Sequence, residues 1–183
     1  MTTISVQVCD GTVLPAYIAR PAPAAHTAPA AHTAHTAHTA IAPEFYHRSA
    51  PPGRWLPADD EGRAEGFGHL AFLAACSLPI DRAAVLYGGW LTASDIPLSR
   101  PTPTLDLAPG ISGRLLYLVG EDDFLITAGQ REQIADALKA LGPGHQLVSY
   151  PGVGHAFWWP GTPAYDLRAR QDAWGRILAL LAG

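Results

Sequence analysis

Two short stretches of this 183-residue chain hold residue types that could do chemistry together. Gly120-Glu121-Asp122-Asp123 offers carboxylates, and Pro151-Gly152-Val153-Gly154-His155 offers an imidazole. A carboxylate bonded to one ring nitrogen of a His sets the tautomer and leaves the other nitrogen free as a base. Asp123 and His155 are the candidate catalytic residues in those two roles. Glycines at 152 and 154 let the backbone turn tightly into the His loop. Spacing alone leaves open a plainer reading, a loop Asp and a loop His that never touch.

The surrounding pattern shows how the two could meet. An apolar run from Leu115 to Val119 predicts a buried strand just before Asp123, and 146–150 predicts another just before His155. Between them, Thr127 is a suitable N-cap for a helix reaching Leu141, with Ile134, Leu138 and Leu141 on one face. Gly142-Pro143-Gly144 stops it. Upstream, 83–87 predicts a further buried strand ended by Gly88-Gly89, preceded by a short apolar helix over 68–76. Asp166 suits the cap of a last helix with Leu167, Trp174, Ile177, Leu178 and Leu181 on one stripe. This alternation implies an α/β fold whose strands are parallel and joined by helical crossovers. In such sheets functional groups gather beyond the carboxyl ends of the strands. Asp123 and His155 then emerge at one edge if their strands are neighbours.

The first third of the chain has a different character. Ile4, Val6 and Val8 alternate with polar residues, and so do Leu14, Ala16 and Ile18; Asp10-Gly11 between them signals a hairpin. Residues 21–40 are Ala, Pro, His and Thr, and they cannot offset their own ordering entropy by burial, so they read as a low-complexity linker. Residues 41–46 suit the end of a strand, and 47–66 read as loop. The expected organisation is one domain over 1–183, interrupted by that linker. A net charge of −4 with no basic block argues against nucleic acid, and no apolar run is long enough to cross a bilayer. The first residues lack the character of a signal peptide, and Cys9 and Cys76 form no disulfide framework or metal pair, so a reducing cytoplasm is expected.

Several stretches, taken in order, resemble the dienelactone hydrolase family of α/β-hydrolases. They are Gly68-His69-Leu70-Ala71-Phe72-Leu73, Ala83-Ala84-Val85-Leu86-Tyr87-Gly88-Gly89, Leu118-Val119-Gly120-Glu121-Asp122-Asp123-Phe124, Tyr150-Pro151-Gly152-Val153-Gly154-His155-Ala156-Phe157, and Tyr165-Asp166 leading to Ala173-Trp174. The segments at 4–21 and 42–48 are similar to their counterparts as well. The resemblance implies an α/β-hydrolase-like, mostly parallel sheet flanked by helices. It implies hydrolysis of a small carboxylic ester or lactone by a Cys (or Ser)-His-Asp triad without a cofactor. Asp123 is then the triad acid and His155 the base. Asp122 competes for the acid role, but the family pattern puts the carboxylate three residues after the Gly.

The chain departs from the family in two places. The family's nucleophile stands on a Gly-x-nucleophile-x-Gly turn, whose sharpness exposes it and whose next backbone N–H helps hold the oxyanion. Here the text is Gly66-Phe67-Gly68-His69, as if the nucleophile and two neighbours were excised. Cys76 and Ser77 lie a helical stretch of about 12 Å further on, too far for hydrogen-bond reach, and Cys76 suits a buried structural thiol. His69 reads as a surface or packed His. The second departure is the linker at 21–40, which replaces a strand, an active-site loop and a helix. The N-terminal half is thus shortened. Strict dienelactone-cleaving members also use an Arg soon after the catalytic His, where this chain has Trp158 and Trp159, residues that suit either an acyl pocket or the core. The expectation is a small-ester or lactone hydrolase impaired by its missing nucleophile. The alternative is a non-catalytic remnant or binding protein. A shortened sheet would also expose an edge and favour self-association. A weaker alternative is metal binding through His32, His35 and His38, spaced to share one edge of a polyproline helix, though no carboxylate or Cys accompanies them.

Overall fold

The computed structural model describes residues 2–7, 13–19, 40–43, 60–96, 99 and 101–183, with side chains described from residue 68 onward. These fall into two units, Met1–Pro57 and Ala58–Gly183. The linker up to residue 39, with its three histidines, and the Asp10-Gly11 turn lie outside the described residues.

The first unit is a three-stranded antiparallel sheet in the order β1-β2-β3: β1 Thr2–Gln7, β2 Val13–Ala19 and β3 Ala40–Pro43. Thr2 pairs with Ile18 and Gln7 with Val13, the hairpin register expected from the alternating residues. β3 adds to the other edge of β2, with Ala16 opposite Pro43.

The second unit holds the site. Its sheet runs β4 (Arg82–Leu86), β5 (Arg114–Asp122), β6 (His145–Gly154), all parallel. α1 (Asp60–Ser77) precedes β4, a 3-10 helix (Thr104–Gly110) precedes β5, α2 (Ala128–Ala140) crosses from β5 to β6, and α3 (Leu167–Ala182) closes the chain. β5 is the central strand, and Leu115, Leu116, Tyr117, Leu118 and Val119 on it are all buried, as a continuous apolar run requires when helices cover both faces. Thr127 caps α2 through a reciprocal capping box with Gln130, and Ile134 and Leu138 face the core. Asp166 caps α3 by accepting the Ala169 N–H at 2.8 Å.

Two sequence expectations are corrected, and one that was left open, His69, is decided. α1 begins at Asp60, well inside the stretch read as loop; Glu61, Arg63, Ala64 and Glu65 are good helix formers, and their polarity does not oppose an α-helix. His69 is fully buried and hydrogen-bonded, a packed His and not a surface one. α3 buries Ala169, Ala173, Ile177 and Leu180, while Leu167, Trp174 and Leu178 are exposed. Small residues let the helix lie close to the sheet, so the face with alanines won over the face with larger side chains.

Candidate acid–base site

β5 and β6 end side by side, and the pairing of Asp122 with Gly154 is their last rung. The next residue on each strand is Asp123 and His155. Their adjacency follows from parallel pairing, which carries both chain ends to the same edge of the sheet. The register shifts between Gly120 and Asp122, where the two backbones come very close. A Cβ on Gly120 would sit 2.0 Å from the Val153 carbonyl oxygen, so only glycine fits under the His loop.

His155 Nδ1 and Asp123 Oδ2 lie 2.8 Å apart, and both residues are about 5% exposed. The other carboxylate oxygen, Oδ1, accepts the Leu125 N–H at 2.9 Å, which locks the Asp side chain against its own turn. An ionised carboxylate only accepts, so Nδ1 carries the proton and Nε2 presents a lone pair. Nε2 has no hydrogen-bond partner among the described residues. Asp122, the competing carboxylate, is exposed and belongs to the strand pairing, so it is Asp123 that the fold aims at the imidazole.

Aromatic rings frame this pair. Tyr87 meets the imidazole edge-on with centroids 4.9 Å apart, and Phe124 does so from another side at 5.6 Å. Burial pushes the Tyr87 hydroxyl up to about 12, opposed by the nearby Trp159 side chain and helped by the charge of Asp123, so it stays protonated in ordinary buffers. Tyr87, Trp90 and Ala156 all have left-handed φ, 39°, 55° and 62°. Such backbone is strained for residues with a Cβ, and the fold holds two of these residues immediately around His155. None of these conformations was visible in the sequence pattern.

The glycine-rich loop after β4 is tied down from two directions. The buried Tyr117 hydroxyl donates to the Gly88 carbonyl at 2.6 Å. His69 holds the Gly89 carbonyl with Nδ1 at 2.9 Å, and its Nε2 lies 2.7 Å from the Thr104 hydroxyl, which in turn lies 3.1 Å from Ser99 Oγ. His69 is therefore a structural fastener between α1, this loop and the 3-10 helix. Its burial lowers its pKa, with the Gly89 bond acting in the opposite sense.

The Gly66-Phe67-Gly68 stretch lies inside α1, with no strand-to-helix turn there. Gly68 packs directly on the end of β4: a Cβ on it would come 2.3 Å from the Leu86 carbonyl oxygen and 2.6 Å from Gly88 Cα. Cys76 sits toward the other end of the helix, its carbonyl against Gly110, which precedes β5. The thiol is thus at the entry side of the sheet and His155 at the exit side. Burial pushes the Cys76 thiol up to about 11, the opposite of an activated nucleophile. Trp158 and Trp159 part company: Trp158 packs against Trp174 and under Arg170, while Trp159 is 59% exposed. Among the described residues no group of three or more His, Cys, Asp or Glu could hold a metal ion. No helix among them is long and apolar enough to cross a membrane.

A parallel sheet with helical crossovers and an Asp–His pair at its exit edge defines the α/β-hydrolase class. The chain belongs to the dienelactone hydrolase family, whose model matches residues 66–183. Over 111 residues it is 32% identical to a candidate carboxymethylenebutenolidase of Escherichia coli K12, covering 61% of this chain and 41% of that one. Over 114 residues it is 32% identical to a counterpart in Saccharolobus solfataricus, covering 62% and 40%. The match thus spans about two fifths of the length of these relatives. The fold is similar to that of a candidate dienelactone hydrolase from Klebsiella pneumoniae, with a TM-score of 0.72, 24% identity and coverage of 99% of this chain and 98% of that one. An esterase from Thermogutta terrifontis shares the fold at a TM-score of 0.61 and 15% identity, covering 99% and 93%.

Proposed function

We propose that this chain carries the acid–base half of an ester- or lactone-hydrolysing site and catalyses that reaction poorly, because among the described residues no nucleophile faces the base. The observation behind this reading is the buried 2.8 Å contact between Asp123 and His155 Nδ1, with Nε2 left unpartnered. In the reaction that remains open, Nε2 takes a proton from water as the water oxygen bonds to the ester carbonyl carbon. Asp123 stabilises the imidazolium. Collapse of the tetrahedral species breaks the bond to the leaving oxygen, and the imidazolium returns the proton to it, giving acid and alcohol. General-base help of this kind is worth about 10²–10⁴-fold. Loss of an oxyanion donor costs about 10²–10³-fold relative to a complete site, so the rate stays far below that of an intact triad. Continuity of α1 through Gly66 and Gly68 supports the impairment, since a helix there has no exposed elbow. In the same reading the chain uses no cofactor and works in the cytoplasm.

Turnover of short-chain aryl esters by purified protein, with His155→Ala as control, tests this. A rate slightly above background that disappears in His155→Ala is expected. A burst of product with a trapped acyl-enzyme would overturn the missing-nucleophile reading. A rate unchanged in His155→Ala would overturn the role of the pair. A specific ligand bound without turnover would favour the non-catalytic binding protein instead.

A further inference from the structure

Phe124 and Trp159 are among the exposed large apolar side chains of this unit, at 79% and 59%. Most exposed apolar residues need no explanation, but these two converge on one place. Phe124 lies edge-on to the His155 ring at 5.6 Å, and Trp159 lies near the hydroxyl of Tyr87, which lies edge-on to the same ring at 4.9 Å. The imidazole is therefore flanked by Tyr87 and Phe124, with Trp159 beside Tyr87; Phe124 and Trp159 are open to solvent. The backbone that carries each ring is fixed, by the Asp123–Leu125 turn around Phe124 and by the Trp159 backbone N–H to the Ala156 carbonyl at 3.2 Å. Rigid rings offer contact area at little entropic cost.

The two residues that precede Asp123 and Phe124 in the chain are acidic. Glu121 and Asp122 are exposed at the end of β5, next to Asp123, and the partner of Glu121 is the uncharged Ser149 hydroxyl at 2.9 Å. Arg170, in the first turn of α3, is engaged elsewhere, over the Trp158 ring and with Tyr165. A ligand with its own carboxylate would meet the like charges of Glu121 and Asp122.

We infer that Phe124, Tyr87 and Trp159 form a recognition subsite beside His155 for the uncharged aromatic part of a small ester, and that this subsite discriminates against carboxylate-bearing esters. The inference rests on the reading of His155 as the base of an ester site. It differs from it in being a statement about binding.

The test measures binding and turnover separately, with phenyl acetate and with 4-acetoxybenzoate, which is the same ester bearing a carboxylate. Binding is followed by ligand-observed NMR under conditions where the uncatalysed reaction is slow. Phenyl acetate should bind about tenfold or more tightly than 4-acetoxybenzoate. Phe124→Ala and Trp159→Ala should each weaken phenyl acetate binding about three- to tenfold, the range for one aromatic contact. Trp159→Arg should narrow or reverse the preference between the two esters. Trp174→Ala, an exposed Trp on α3, should change neither. These rings are largely exposed, so the variants should keep the fold, which circular dichroism checks. Equal affinity for the two esters, or Phe124 and Trp159 variants that bind as the parent does, would overturn the inference. Binding with the predicted preference and no turnover would leave the inference standing and overturn the hydrolytic reading.

Discussion

At the scale of single residues, the buried histidines divide the labour. His155 keeps one nitrogen for Asp123 and one unpaired, whereas His69 uses both nitrogens on protein partners. A His buried as the neutral form makes stability depend on pH. The pKa of His69 is lowered by burial from its ordinary value of 6.5. Below 6.5 the unfolded chain therefore binds a proton that the folded chain refuses, and stability falls as pH falls. The decline ends once pH passes below the lowered folded value. His69→Gln removes this dependence. Denaturant melts at several pH values should show the parent losing up to about 1.4 kcal/mol more per pH unit than the variant below pH 6.5. Parallel curves for the two proteins would show that His69 is accessible or already charged. Asp123 and His155 were legible as a candidate pair from the text around them. The choice of Asp123 over Asp122 follows from the last rung of the strand pairing, which uses Asp122.

At the scale of elements, close approach explains the glycines better than flexibility does. Gly68 joins α1 to the end of β4, and the group a Cβ would strike is backbone, which cannot swing aside. Gly68→Ala should destabilise the protein by about 2 kcal/mol, the middle of the range for overpacking, despite the better helix propensity of Ala. Gly175 in α3 is the counterpart: nothing lies within 4 Å of its Cβ position, so Gly175→Ala should stabilise by about 0.5–1 kcal/mol. Thermal or urea melts of both variants check the pair of signs; a Gly68→Ala protein as stable as the parent or more so would mean that α1 does not pack on β4 as described. The caps of α2 and α3 at Thr127 and Asp166 were readable in advance because capping is local chemistry. The start of α1 and the buried face of α3 were not, since they depend on what each helix packs against.

At the scale of the molecule, the parallel sheet has β5 at its centre and β4 and β6 at its edges among the described residues. An edge strand presents unpaired backbone groups that another chain can use. We propose that β4 is such a site and that the chain self-associates through it. Size-exclusion chromatography with light scattering over a range of concentrations should show a dimer or larger species at high concentration, dissociating on dilution. A monomer at every concentration would rule this out.

The sequence by itself determined the fold class, the strand–helix alternation of 83–183, the family and two helix caps, and it singled out Asp123 and His155 as a candidate pair. These are local or periodic properties: buried strands need apolar runs, caps need side-chain oxygens, and the His and Asp segments carry a distinctive text. Tertiary structure decided the rest. Only parallel pairing of β5 with β6 brings Asp123 and His155 to 2.8 Å, because 32 residues separate them in the chain. Packing alone distinguishes a buried His69 from a surface one, Trp158 in the core from Trp159 in solvent, and the Cys76 end of α1 from the His155 edge. Each of these depends on which surfaces face one another across the sheet, a relation between distant segments that no local pattern encodes.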